Sequence, residues 1–281
     1  MDKAKGYVVV SAKTLLRDVF GFKKFRPGQR EIIDAVACGE NVLAIMPTGG
    51  GKSLCFQLPA LLNDGLTVVI SPLIALMRDQ VRGLKAVGVA AGAITSGNTE
   101  EEVNQVFSQI ISGDLKLLYL APERLVSRKI QNILSSANVT SIAVDEAHCV
   151  SQWGHDFRPD YLGIGELRRK LCVPLSAFTA TADKETQQEI MQRLFEGAAP
   201  KVFLRGFDRP NIYLSFMPKD NPRRQIMDFV HLRKGQYYLL WYKGQNGNVS
   251  SSVGGSWSQR LLIPWWYGVR SAKSRGKSLH S

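Results

Sequence analysis

Val42-Leu43-Ala44-Ile45-Met46-Pro47-Thr48-Gly49-Gly50-Gly51-Lys52-Ser53 is the stretch on which the fold turns. Its aliphatic start has no polar alternation, which fits a strand buried on both faces. Glycines, a lysine and a serine follow at once, and Lys52 to Leu62 reads as a helix. Strand, glycine-rich loop and helix in that order form a phosphate-binding loop. The glycines let backbone N–H groups wrap phosphates, and the helix start adds the positive end of its dipole. Thr48, Gly49, Gly50, Gly51, Lys52 and Ser53 are therefore the expected nucleotide contacts. Lys52 would reach the β- and γ-phosphates, and Ser53 would coordinate Mg²⁺. One departure stands out: Met46 occupies the place of the first glycine in G-x-x-x-x-G-K-[ST].

Outward from this loop, short apolar runs alternate with amphipathic stretches. Strands are predicted over Val42–Met46, Leu66–Ser71, Leu115–Leu120, Ser141–Asp145 and Leu175–Phe178. Helices are predicted over Lys52–Leu62, Leu73–Ala86, Thr99–Ser112 and Lys184–Leu194. This alternation predicts an α/β fold with a parallel sheet flanked by helices. Ligands of such sheets bind at the carboxyl ends of the strands. One of those ends carries Asp145-Glu146-Ala147-His148. A carboxylate at a strand tip beside a phosphate loop suits Mg²⁺, so Asp145 joins Ser53 as an expected metal ligand. Glu146 is placed to orient and deprotonate an attacking water. Arg168-Arg169-Lys170 reads as a solvated helix face with no function.

The chain has 281 residues, a net charge of +12 and 44% hydrophobic residues, enough for a real core. That composition argues against wholesale disorder or a collagen-like chain. No apolar run is long enough to span a membrane. Residues 1–11 lack a signal-peptide pattern, so an intracellular protein is expected. The four cysteines form no C-x-x-C pair, so reduced thiols and no zinc site are expected. The charge is uneven. Residues 1–236 hold 30 basic and 24 acidic side chains, while residues 237–281 hold six basic and no acidic ones. The latter segment also carries four of the five Trp and four of the eight Tyr. The overall charge is thus no simple footprint of nucleic acid.

The phosphate loop and the Asp-Glu-Ala-His turn together resemble a superfamily 2 helicase, and further stretches narrow the likeness to the RecQ family of DNA helicases. Phe20-Gly21-Phe22-Lys23-Lys24-Phe25-Arg26-Pro27-Gly28-Gln29 resembles that family's adenine-reading motif. Ser71-Pro72-Leu73-Ile74-Ala75-Leu76-Met77-Arg78-Asp79-Gln80 and Ala121-Pro122-Glu123-Arg124-Leu125 look like its DNA-tracking motifs. Cys149-Val150-Ser151-Gln152-Trp153-Gly154-His155-Asp156-Phe157-Arg158-Pro159 resembles its aromatic-rich loop. Phe178-Thr179-Ala180-Thr181-Ala182 looks like motif III, and Phe207-Asp208-Arg209-Pro210-Asn211 like the junction between lobes.

The resemblance covers residues 14 to 236 and implies a RecA-like P-loop NTPase lobe that uses ATP and Mg²⁺. It implies that Gln29 hydrogen-bonds the adenine edge while Phe22 and Arg26 pack on its faces. Catalysis would rest on Lys52, Asp145, Glu146 and His148, with His148, Thr179 and Thr181 linking nucleotide state to DNA. Ser71, Arg124, Trp153, His155, Phe157 and Arg158 would contact single-stranded or partially duplex DNA, with bases stacking on the aromatics. The whole enzyme would unwind DNA 3′ to 5′ in recombination and repair, in the cytoplasm at the nucleoid and not at a membrane.

Residues 1–206 are expected to form lobe one, and 207–236 the junction and start of lobe two. The motifs of a second RecA-like lobe, including its arginine finger, are missing after Asn211. From Tyr237 the helicase-like sequence stops. Read one frame over, Tyr237 to Lys243 permits Ile-Ile-Tyr-Cys-Gly-Thr-Arg, which resembles the opening of lobe two. Ile263 to Gly268 likewise permits Tyr-His-Gly-Gly-Met-Glu. Residues 237–281 are thus expected to be an out-of-frame tail, poorly ordered and without a domain. The alternative is a non-catalytic nucleic-acid-binding fragment whose basic tail grips DNA.

Overall fold

The computed structural model describes residues 11–152, 157–180, 182–205, 220, 221, 224, 225, 227 and 228. The chain divides into two units, Met1–Arg209 and Pro210–Ser281. Of the second unit, the described residues show an Arg224–Asp228 ion pair of 3.8 Å. The junction motif Phe207–Asn211 and residues 237–281 lie outside the described residues.

In the first unit, β1 (Val42–Ile45), β2 (Leu66–Ile70), β3 (Ala91–Ile94), β4 (Leu117–Leu120), β5 (Val139–Val144), β6 (Leu175–Thr179) and β7 (Lys201–Leu204) form one parallel sheet. Its order is β3-β4-β2-β5-β6-β1-β7. The helices are α1 (Ala12–Asp18), α2 (Gln29–Ala37), α3 (Leu54–Leu62), α4 (Ile74–Ala86), α5 (Glu100–Ile111), α6 (Arg128–Ser136), α7 (Gly163–Leu171) and α8 (Lys184–Phe195).

Strand parity explains why the apolar runs do not alternate. Leu43 and Ile45 of β1, with Val68 and Ile70 of β2, face a core filled by α5, α6, α7 and α8. Val42 and Ala44, with Val69, face a second core filled by α1, α2, α3 and α4. Both faces are dry, so most positions are apolar, and the buried hydroxyls of Thr67 and Ser141 pair with each other at 3.0 Å. Capping sets several helix starts. The Ser11 hydroxyl accepts from Thr14 N at 3.1 Å. Thr99 and Glu102 form a reciprocal capping box at α5, and the Asp183 carboxylate accepts from Thr186 N at 2.8 Å at α8.

The five predicted strands and four predicted helices are present, with ends shifted by one to two residues. β5 starts two residues earlier than expected and β4 two residues later. Arg168 is a correction. It is not on a solvated face; its guanidinium donates to Phe195 O at 3.1 Å and to Asn41 Oδ1 at 3.4 Å, tying α7 to α8 and to the start of β1. Arg169 and Lys170 are exposed as expected. Among the described residues, no helix is long and apolar enough to cross a membrane.

Candidate active site

All the strands point the same way, so the loops after β1, β2, β5 and β6 leave one edge of the sheet. The strand order sets their spacing. β6 alone stands between β1 and β5, and β2 lies on the other side of β5.

The loop after β1 is shaped by its own backbone. Gly49 and Gly51 have φ of 79° and 82°, the left-handed region that favours glycine. A Cβ on Gly50 would meet Pro47 O at 2.9 Å, and one on Gly51 would meet Gln29 Nε2 at 2.3 Å. Met46 needs no glycine, because its φ is not positive. Its N–H donates to Thr179 O at 3.0 Å, and its side chain is buried in the core between the sheet and α1 to α4. Ser53 begins the last turn before α3, and its hydroxyl accepts from Gln80 Nε2 at 3.3 Å.

The segment before α2 braces this loop. The Arg26 guanidinium hydrogen-bonds Gly49 O. Gln29 is buried; its Nε2 donates to Gly51 O at 3.1 Å and its Oε1 accepts from Arg26 N at 2.8 Å. Expected at the adenine edge, Gln29 here has both amide ends engaged and acts as a strut between segment and loop. Phe22 is 53% exposed and presents an open ring face.

The loop after β5 is shaped by side chains instead. Asp145 is buried, its N–H donates to Ile70 O at 2.8 Å, and its Oδ1 accepts from Glu146 N at 3.0 Å. Glu146 has φ 48° and ψ 48°, a left-handed conformation rare for a residue with a Cβ. The turn is closed by Cys149 N donating to Glu146 O at 2.9 Å. Fully buried Tyr161 donates its hydroxyl to Asp145 O at 3.1 Å. His148 Nδ1 lies 3.0 Å from Thr179 Oγ1 on β6 and 3.4 Å from Glu146 Oε2. Thr179 therefore joins the turn to the loop of β1 through the same residue whose carbonyl receives Met46 N. Burial, then the Glu146 carboxylate, pushes the Asp145 carboxyl up to about 6, while the Lys52 ammonium opposes the shift.

The expected DNA-contact residues fare unevenly. Ser71 is a correction: it is buried, and its hydroxyl donates toward Asp145 Oδ2 at 3.5 Å, so it backs the acid turn and does not face solvent. Arg124 donates to Thr95 O at 2.7 Å, and Arg158 to Pro72 O at 3.3 Å. Both are half-buried, and each uses an N–H to brace a neighbouring loop. Phe157 is half-buried. Trp153, His155 and Thr181 lie outside the described residues. Reading the sequence missed the braces themselves: Gln57, Gln80, Tyr161 and Glu189. Glu189 accepts from Ser151 Oγ at 2.5 Å and from Gln152 N at 2.8 Å, holding the first stem of the aromatic-rich loop. A polar residue on an apolar helical stripe was the one available signal, and Gln80 fits it.

The donor set suits a nucleoside triphosphate with a hard cation. Gly49 and Gly51 supply the left-handed backbone that turns N–H groups of the loop together, and the Ser53 hydroxyl and Asp145 carboxylate are both oxygen donors of the kind Mg²⁺ takes.

A family model described as DEAD/DEAH box helicase matches residues 26–190. The chain is 46% identical to the ATP-dependent DNA helicase RecQ of Haemophilus influenzae over 237 residues, which cover 84% of this chain and 38% of that protein. It is 43% identical to the ATP-dependent DNA helicase RecQ of Bacillus subtilis over 233 residues, 82% of this chain and 39% of the relative. The crystal structure of the Pyrococcus furiosus Hef helicase domain superposes with a TM-score of 0.54 at 21% identity, over 69% of this chain and 40% of that one. That last likeness is one of fold. The chain spans under two fifths of the length of the curated relatives it matches, at 38% and 39%.

Proposed function

The chain belongs to the DEAD/DEAH box helicase family, and from that premise we propose that it is the nucleotide-binding lobe of a RecQ-type DNA helicase. It binds ATP at the edge formed by the loops of β1 and β5. The observation that carries this reading is geometric: Thr179 accepts from Met46 N at the loop of β1 and meets His148 of the acid turn at 3.0 Å, so the two loops share one edge of the sheet.

Each residue then has a task. The N–H groups of Gly49 to Gly51 wrap the phosphates, and Lys52 neutralises their outer charge. Ser53 and Asp145 would hold a magnesium ion, which supplies charge stabilisation on the transferred phosphoryl group. Glu146 orients the attacking water and accepts its proton. His148 and Thr179 transmit the state of Glu146 to β6 and the loop of β1. Phe22 and Arg26 offer the adenine a ring face and a planar cation. Gln29, with its Nε2 engaged at the loop carbonyls, would meet the adenine edge through the second lone pair of Oε1 or by giving up a bond to the loop.

The whole protein would couple hydrolysis to 3′-to-5′ unwinding of DNA, in recombination and repair at the nucleoid. Arg124, Arg158, Phe157 and the residues Trp153 and His155 would contact the strand. Residues 1–206 would be lobe one, with a second RecA-like lobe normally in cis and residues 237–281 an out-of-frame tail. Without an arginine finger, hydrolysis by this chain is expected to be slower by ~10³–10⁵ than in a complete motor. The test is ATP turnover of the 281-residue chain with and without single-stranded DNA, with Lys52→Ala as control. Slow turnover that Lys52→Ala abolishes supports the proposal. Turnover at the rate of a complete motor refutes the slow-lobe reading. Nucleotide binding that ignores Lys52→Ala refutes the site.

A further inference from the structure

The stretch Ser71–Gln80 touches the site twice. At its start, the buried Ser71 hydroxyl approaches Asp145 Oδ2 at 3.5 Å. At its end, Gln80 on α4 donates from Nε2 to Ser53 Oγ at 3.3 Å. Gln80 is itself held from behind. Its Oε1 accepts from Gln57 Nε2 at 3.3 Å, and Gln57 also donates to the buried Tyr119 hydroxyl at 2.9 Å. One continuous segment therefore backs both oxygen donors of the candidate metal site. Between its two ends Leu73 and Leu76 remain exposed.

Packing alone does not ask for an amide at residue 80. The buried stripe of α4 is Met77, Val81 and Leu84, and Gln80 falls on it at helical spacing. A polar group there costs stability unless it is bonded. Its bonds lead to a serine at the head of α3 and to a second amide, and not to the backbone of its own helix. A hydroxyl has one proton and two lone pairs. Gln80 occupies one lone pair and fixes the side chain, which leaves the other for a cation.

We infer that Gln80 is a positioning residue for Ser53, and that with Ser71 behind Asp145 it makes residues 71–80 the supporting layer of the magnesium site. This rests on the nucleotide reading above. Outer partners of metal ligands typically change affinity by ~10–100-fold when removed. A shift of α4 would thus be felt at Ser53 through one hydrogen bond.

The test is binding of a fluorescent ATP analogue to the 281-residue chain, once with Mg²⁺ and once with EDTA. Gln80→Met keeps the length of the side chain and removes the hydrogen bonds. The gain in affinity that Mg²⁺ confers should fall about tenfold. Affinity in EDTA should stay within about twofold, since the bond acts only on the metal ligand. In a Ser53→Ala background, Gln80→Met should have no further effect. Should Gln80→Met not fold, Gln80→Asn withdraws the amide by one methylene and carries the same expectation. Equal losses with and without Mg²⁺, an undiminished loss in Ser53→Ala, or an unchanged Mg²⁺ gain each overturn the inference. Lys52→Ala separates the two levels: if it does not weaken binding by the wild-type chain, the nucleotide reading fails and the inference with it.

Discussion

The loops after β1 and β5 leave the same edge of the sheet with opposite constructions. The first is shaped by its backbone: Gly49 and Gly51 take left-handed φ freely, and its N–H donors stand beside the side chains of Lys52 and Ser53. The second is nearly all side chain, and its left-handed residue is Glu146, which carries a Cβ and pays strain of ~1–2 kcal/mol for it. The glycine loop needs outside bracing at its carbonyls, from Arg26 and Gln29. The acid turn is held at its ends, by Tyr161 on Asp145 O and Cys149 on Glu146 O. A backbone loop can recognise phosphate without titrating. A side-chain turn can move a proton, and it needs burial and a held backbone to do so.

If that contrast is sound, the largest effect belongs to the acid turn. Glu146→Gln should slow single-turnover ATP hydrolysis by ~10²–10⁴ while nucleotide affinity changes little. A matching loss of affinity would mean that Glu146 shapes the pocket instead of acting on water.

The glycine loop should answer to shape. Gly51→Ala places a Cβ 2.3 Å from Gln29 Nε2 at a φ of 82°. We expect nucleotide affinity to fall about tenfold and stability by ~1–3 kcal/mol. Gln29→Ala in the same chain should recover part of the stability loss, and chemical denaturation would show it.

Acid–base behaviour should come from one side only. The Asp145 carboxyl is held at about 6 against an ordinary 3.8. Between these values the folded protein keeps a proton that the unfolded chain has released. This group's contribution to stability is therefore full below about 3.8 and is lost as pH rises through about 6. The change is on the order of 3 kcal/mol. If Asp145 holds the ion as proposed, Mg²⁺-supported nucleotide binding should move the other way, strengthening as pH rises through about 6, because the ionised carboxylate would be the ligand. Asp145→Asn should flatten both profiles; a pH-dependent melt unchanged by it would remove Asp145 as the cause.

The smallest expected effect sharpens the comparison most. Glu146→Gly removes the Cβ from a left-handed position and should raise stability by ~1 kcal/mol, even as hydrolysis is lost. A drop in melting temperature would show that the Glu146 side chain holds the turn together through His148.

The parts legible in the sequence are those in which local chemistry and fold agree. Val42 to Leu54 runs from a strand through a loop with left-handed glycines into the start of a helix, so the order of elements is as expected, with ends shifted by one or two residues. Asp145 and Glu146 stand at a strand tip, where the parallel sheet puts its ligands. β3 and β7 went unread because Ala91-Gly92-Ala93-Ile94 is too small to look like a strand, and Lys201 to Leu204 is a half-exposed edge. Arg168 and Ser71 were misread for a different reason. Their partners, Phe195 O and Asp145 Oδ2, come from far along the chain. No local pattern distinguishes an arginine facing water from one facing a distant carbonyl. Gln29 shows a third case: the motif marks the residue, and the fold shows where its amide points.

The strand order also dictates a sequence of assembly. Among the described residues β1 is the first strand, yet its partners there are β6 and β7, the last two: Ala44 pairs with Phe178 on one side and with Phe203 on the other. A chain growing from its N-terminus can zip β2, β3, β4 and β5 together while β1 still has no neighbour. The phosphate loop, encoded before residue 54, is therefore assembled only when residues 175–204 have emerged. Such distant pairing makes for slow folding and leaves a sticky strand uncovered during synthesis. A formed phosphate loop is, in this molecule, a certificate that the sheet has closed.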